Sequence, residues 1–363
     1  ARRASVSNVH REGALAGPGA VAREGLSASP CVWRRRLLTV LKPVFAMGGL
    51  GMLGTLVHKA GAGELKTTLL DALPLLPWVV FIEMGRQACD ATATRLSYGA
   101  RARQVPLSVL VRAQLIGTAV SSMAPAGRTA AEATKATLLT PYTGGAAATA
   151  AAATSQSASL GAGGLISFPC ALAAYLMTGW STFTVAMLVH GVVLLLASLG
   201  VRAGLRAKRL GAWMRRRCGK WGEHAEAFQA SVCAGGLCPW RPMLAFLGSR
   251  VLQVMQYAVL AHAVGIDASV VQALFTQGLY LVALAMGSLV PGQVGVTDGM
   301  FSLAAGAMGT TAAKAMSIAL LAHTVQAVFV LVGALTPLVW RAKAKVAAAA
   351  PVVPPVLSAP VYR

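Results

Sequence analysis

The chain is poor in acid. Only 11 Asp and Glu oppose 32 Lys and Arg among 363 residues, for a formal charge of +21. Charge of either sign is scarce, at 12% of residues, where soluble domains carry about a quarter. That is too little charge for the surface of a soluble globule. With 56% hydrophobic residues and a mean hydropathy of +0.64, the composition is that of an integral membrane protein. The six cysteines, at 31, 89, 170, 218, 233 and 238, form no CxxC pair and no zinc spacing. Cys233 and Cys238 are close enough in sequence to pair in an oxidising compartment, but reduced thiols on the cytosolic side are the reading adopted. No HExxH and no Walker sequence occurs, so neither a metal, another cofactor nor direct use of ATP is expected. A nucleophile with a base is also missing, and an enzyme is not expected.

The basic excess falls in blocks: 34–36, then Arg95, Arg101 and Arg103, then eight Lys or Arg between 202 and 220, then Arg341, Lys343 and Lys345. A nucleic-acid face would not be divided between apolar runs, so nucleic acid is excluded as a partner. Basic blocks beside apolar runs follow the positive-inside rule and suit anionic lipid heads.

A membrane span needs about 20 mostly apolar residues. Runs of that kind cover 37–57, 67–89, 106–124, 145–175, 181–200, 243–264, 270–290 and 313–340. Trp33, Trp78, Trp180, Trp240 and Trp340 stand near their ends, as interfacial aromatics do. Two short runs, 127–140 and 297–309, follow proline breaks. If 106–124 crossed fully on its own, the basic block at 202–220 would land outside. If 106–124 and 127–140 form one re-entrant hairpin, every basic block lies inside. The second hairpin, 270–290 with 297–309, then enters from the opposite face. The expected fold is an all-α polytopic membrane helix bundle of about six full spans plus two re-entrant helical hairpins related as an inverted repeat. An eight-span arrangement, broken differently within 145–175, is the alternative. Residues 1–36 read as a flexible basic tail, 37–340 as the transmembrane domain and 341–363 as a C-terminal tail. Within the domain, 201–240 reads as a cytosolic basic loop, its amphipathic part around Trp213 to Phe228 lying on the membrane surface.

The two breaks repeat one pattern. Met123-Ala124-Pro125-Ala126-Gly127-Arg128 leads to Glu132, and Leu289-Val290-Pro291-Gly292-Gln293 leads to Asp298. In each, an acid stands seven positions after the proline. Broken apolar segments in corresponding halves point to a transporter site at the bilayer midplane. An acid there costs roughly 2.5–3.5 kcal/mol on insertion scales, so it needs a reason. Pro125 and Gly127 free backbone groups that lipid cannot satisfy, and the loop must be buried in protein or line a wet cavity. The helix start beyond Gly127, with Arg128, suits an anion or phosphodiester, and Glu132 and Lys135 are neighbours on that helix. The plainer reading is that Arg128, Glu132 and Lys135 neutralise one another. At the second break Pro291, Gly292, Gly295 and Gly299 make a tight turn. Thr297 is placed to cap the next helix with Asp298 in its first turn, and capping alone is a sufficient reason for that acid.

Glu83, Arg86 and Asp90 share one helix face, either as a self-paired strip or as polar lining for a head group's path. Arg112, Arg250 and Lys314 are expected to snorkel to the interfaces. His323, near Gln326, reads as a packing histidine before a proton relay. Gly and Ala crowd 143–164 and 303–315, where small residues let helices approach closely.

The breaks resemble motifs of the flippase-like transmembrane region of lysylphosphatidylglycerol synthases and their stand-alone relatives. The first family motif is a proline–glycine break followed by Gly-Glu, a basic residue and a leucine pair; here it reads Pro125, Gly127, Glu132, Lys135, Leu138, Leu139. The second is a Pro, a glycine-rich turn, then Gly-Val-basic-Glu; here it reads Pro291 to Gly295, Val296, Thr297, Asp298. Ala131 replaces the glycine before the first glutamate, Asp298 the second glutamate, Thr297 a basic residue and Gln293 a glycine. The resemblance implies translocation, or flipping, of a polar lipid such as a phospholipid or aminoacyl-phospholipid through a central polar cavity. Arg128 and Lys135 would meet the phosphate, and Glu132 and Asp298 an amine or a proton. The alternative is a non-transporting scaffold or regulator of a lipid-synthesis complex. Expected partners are membrane lipids with a polar or anionic head group, possible partners being a lipid-synthesis enzyme and a second copy of the chain. The expected location is the bacterial cytoplasmic membrane.

Overall fold

The computed structural model describes residues 51, 54–55, 57–58, 62–124, 126–207, 222–266, 269–288 and 290–340. The expected tails, most of the 37–57 span, Pro125, Leu289 and the basic run 208–221 lie outside the described residues. Among the described residues there is no strand, and eleven α-helices follow in order. They are α1 (Ala62–Ala72), α2 (Leu76–Ser97), α3 (Leu107–Met123), α4 (Gly127–Thr143), α5 (Gly145–Thr178) and α6 (Thr182–Arg206). The rest are α7 (Gly222–Ala234), α8 (Trp240–Ala263), α9 (Val270–Met286), α10 (Val296–Ala304) and α11 (Ala312–Val339). The protein is a polytopic helical bundle of the membrane.

Among the described residues, five segments are long and apolar enough to cross: Gly63–Ser97, Gly145–Thr178, Thr182–Arg206, Trp240–Ala263 and Ala312–Val339. The first arms of the two expected hairpins, α3 and α9, are apolar but 17 residues each. At 1.5 Å per residue that is roughly 25 Å, short of a hydrocarbon core of about 30 Å. Helix starts carry their own signals. Ser181, Ser269 and Thr311 accept from the backbone N–H three residues on, each satisfying one orphan donor.

The long α5 is the axis of the bundle, packing on α4, α6, α8 and α9. Most of its alanines and glycines are buried, and a Cβ at Gly164 would lie 2.9 Å from Gly191 O, so α5 and α6 meet backbone to backbone. Outward-facing Phe81, Leu172, Val193, Leu196 and Leu335 are exposed, as lipid-facing residues are.

Segment 201–240 differs from the loop expected. α6 continues through Arg206 and α7 fills Gly222–Ala234. Arg202, the first residue of the basic block at 202–220, is buried. It donates to Gly236 O (3.2 Å), Val232 O (3.2 Å) and Thr154 Oγ1 (2.8 Å). The carbonyls left open where α7 ends draw this guanidinium inward.

Candidate functional site

Both interruptions are built by backbone that an ordinary helix excludes. After α3, Ala124 is extended and Ala126 is left-handed at φ 51°, and α4 starts at once with Gly127. A Cβ on Gly127 would lie 1.7 Å from Ser121 O, so only glycine lets the chain turn back against α3. After α9, Pro291 opens a 3₁₀ turn, and Gly292, Gln293 and Gly295 take φ of 65°, 56° and 85° before α10. Gln293 occupies the left-handed position at which the family motif keeps glycine.

The two interruptions touch. Ala126 N donates to Ser288 O at 3.3 Å, and the Pro291–Gln293 turn packs against α3. Gln326 Nε2 of α11 donates to Ser122 Oγ at 2.8 Å and ties a third helix to the junction. The junction and helices α2, α3, α4, α8, α9 and α11 wall a cavity of about 400 Å³.

One side of the cavity is a closed circuit of eight polar side chains. Glu83 accepts from Arg86 Nε (2.7 Å) and Gln87 Nε2 (2.8 Å). Gln87 Oε1 accepts from Gln114 Nε2 at 3.0 Å, and Gln114 Oε1 from Lys135 Nζ at 3.4 Å. Lys135 Nζ lies 2.6 Å from Glu132 Oε1 and donates to Thr94 Oγ1 at 2.9 Å. Arg128 bridges Glu132 (Nε, 3.4 Å) and Asp90 (Nη1, 3.8 Å), and Asp90 is 3.9 Å from Arg86 Nη1. Glu83, Asp90, Glu132 and Lys135 are buried. In this way helices α2, α3 and α4 share their buried charges, as groups removed from water must. From the facing wall, Gln256 Nε2 reaches Glu83 at 3.4 Å, and Arg250 Nη1 donates to Gln253 Oε1 at 2.8 Å.

Of the residues singled out from sequence, Glu83, Arg86, Gly127, Arg128, Glu132 and Lys135 line this one cavity. The Glu83–Arg86–Asp90 face is therefore both a paired strip and a lining. Asp298 is different. It is fully buried behind the wall, and its Oδ2 accepts from Gly295 N at 2.8 Å and lies 3.4 Å from His323 Nε2. The N-cap of α10 is thus Gly295, and Thr297 does not cap. Thr297, in the first turn of α10, and His323 of α11 line the cavity beside the second interruption.

Arg250 was placed at an interface and instead lines the cavity, whereas Arg112, through Nε to Trp340 O at 2.9 Å, does stand at a helix end. The sequence reading missed Gln87, Gln114, Gln253 and Gln256. Their signal was available: Arg250, Gln253, Gln256 and Tyr257 repeat on one face of an otherwise apolar α8. Among the described residues no cluster of His, Cys, Asp and Glu suits a metal ion.

A family model described as the lysylphosphatidylglycerol synthase TM region matches residues 39–334. No curated protein and no solved structure matches the chain.

Proposed function

This chain belongs to the lysylphosphatidylglycerol synthase transmembrane family, whose domains are associated with lipid handling, and from that premise we infer that it moves a polar lipid across the bilayer. One observation carries the reading. Two interrupted helices from opposite halves of the sequence meet at Ala126 and Ser288 and wall a cavity holding buried and half-buried charge. Irregular backbone and ionised groups at membrane depth persist where they line a polar path. The head group enters this cavity and the acyl tails stay in lipid. Arg128, at the first interruption, meets the phosphate, and Glu132 holds Lys135 and Arg128 in place. The two 17-residue arms enter as re-entrant hairpins from opposing leaflets, giving an inverted repeat. Asp298 acts through Gly295 and His323 as the support of the second interruption. The bacterial cytoplasmic membrane is the proposed location.

The experiment is lipid exposure on the outer leaflet of cells carrying Glu132→Gln at matched protein level. Exposure should fall to that of a deletion strain. Unchanged exposure removes the translocation role. A flat lipid distribution on deletion, with loss of a lipid-synthesis activity, favours the scaffold reading.

A further inference from the structure

We propose that the cavity seats a phosphodiester head group bearing one negative charge and no ammonium, held between the guanidiniums of Arg128 and Arg250 beside Asp90. This deepens the translocation reading and rests on it for the lipid source. Four cations face the cavity, Arg86, Arg128, Lys135 and Arg250, against the carboxylates Glu83, Asp90 and Glu132. Two of the cations are committed: Arg86 to Glu83 and Lys135 to Glu132, the latter with Thr94 and Gln114 closing its shell. Arg128 and Arg250 are left with Asp90, Arg128 also lying 3.4 Å from Glu132. Arg86 stands 3.9 Å and Arg128 3.8 Å from Asp90. Four cations against three carboxylates leave one positive charge over, on the Arg128 and Arg250 side of the cavity.

The donors are placed to use it. Arg128 stacks on the buried Phe246 ring, 4.7 Å from its centroid, which fixes the plane of its fork. Its Nη2 is buried without a hydrogen bond, and its Nε, also without one, lies 3.4 Å from Glu132 Oε1. Arg250 makes no ion pair within 4.0 Å among the described residues, its one hydrogen bond going to Gln253. Two guanidiniums lining one cavity offer donors that match the oxygens of a phosphodiester. Lys135, expected from sequence to share the phosphate, is sealed by its own partners. An ammonium in the same space would meet the surplus cation, while Glu83 and Glu132 already hold cations. The chemistry thus selects an anionic lipid over a zwitterionic or aminoacylated one.

The test is lipid retention by the purified full-length protein, read by native mass spectrometry after exchange with phosphatidylglycerol or phosphatidylethanolamine. Phosphatidylglycerol should be retained, and Arg250→Gln should weaken retention about tenfold or more. Arg250→Lys, which keeps charge but loses the fork, should restore part of it, and Arg128→Gln should repeat the loss in a second fold-checked variant. Equal retention of the two lipids, or full retention by Arg250→Gln, overturns the proposal. So does binding of inorganic phosphate or glycerophosphoglycerol without any lipid retention. Retention requires no transport. If phosphatidylglycerol is held through Arg250 but purified protein in liposomes moves no lipid, the translocation reading fails and the seat stands. If both lipids move equally, translocation stands and the seat fails.

Discussion

Removing either member of the Glu132–Lys135 pair should be worse than removing both. The two side chains are 4% and 5% exposed and 2.6 Å apart. Glu132→Gln leaves a buried ammonium with neutral acceptors alone, Thr94 Oγ1, Gln114 Oε1 and the new amide oxygen, and no counter-charge of its own. Breaking a buried pair from one side costs about 3–5 kcal/mol, because the surviving charge stays desolvated. Lys135→Met leaves Glu132 with Arg128 at 3.4 Å, so its cost should fall toward the lower end, about 3 kcal/mol. The combined Glu132→Gln/Lys135→Met variant buries no charge at either position. Its cost should be about 1 kcal/mol, since exchanging a buried pair for neutral groups of similar volume is often close to neutral. Reversible unfolding in mixed micelles, with all three variants and the parent in one double-mutant cycle, gives the comparison. Additive costs, or single costs below about 0.5 kcal/mol as at an exposed pair, would refute the burial argument.

Gly127→Ala should abolish the folded hairpin, because its Cβ would meet Ser121 O at 1.7 Å; Gly200→Ala, with nothing within 4 Å, is the control, and the thermal midpoint is the measure. Gln293→Gly should stabilise by up to about 1 kcal/mol in chemical unfolding, since glycine relieves the left-handed φ of 56° and offsets part of that gain in chain entropy. Arg202→Gln should release the carbonyls of Val232 and Gly236, and hydrogen exchange should then rise in α7 while α5 stays protected.

What was legible in the sequence was local. Helix positions followed from apolar length, and the breaks from proline, glycine and an acid at a fixed offset. Spacing alone put Glu83, Arg86 and Asp90 on one face and Glu132 beside Lys135, because helical neighbours are set by 3.6 residues per turn. What was not legible depended on which helices pack together. Arg250 looked like an interfacial arginine because its place on the cavity wall depends on how α8 packs against α2, far away in sequence. Thr297 looked like a cap because Ser and Thr usually are caps. The turn instead places Gly295 at φ 85° and lets Asp298 reach back to its N–H. Asp298 matched Glu132 in spacing and burial but does not line the cavity, since a nine-residue α10 tucks its first turn behind His323. The buried role of Arg202 depended on the carbonyls at the end of α7, which no charge count reveals.

The central claim is that lipid passes where the two interruptions meet, and a reversible lock tests it most directly. Ala126→Cys and Ser288→Cys, in protein whose six native cysteines are replaced by serine, should cross-link on oxidation because their backbones are hydrogen-bonded at 3.3 Å. Lipid movement in proteoliposomes should stop when the bridge forms and return on reduction. A bridge formed in full with undiminished movement would contradict the account.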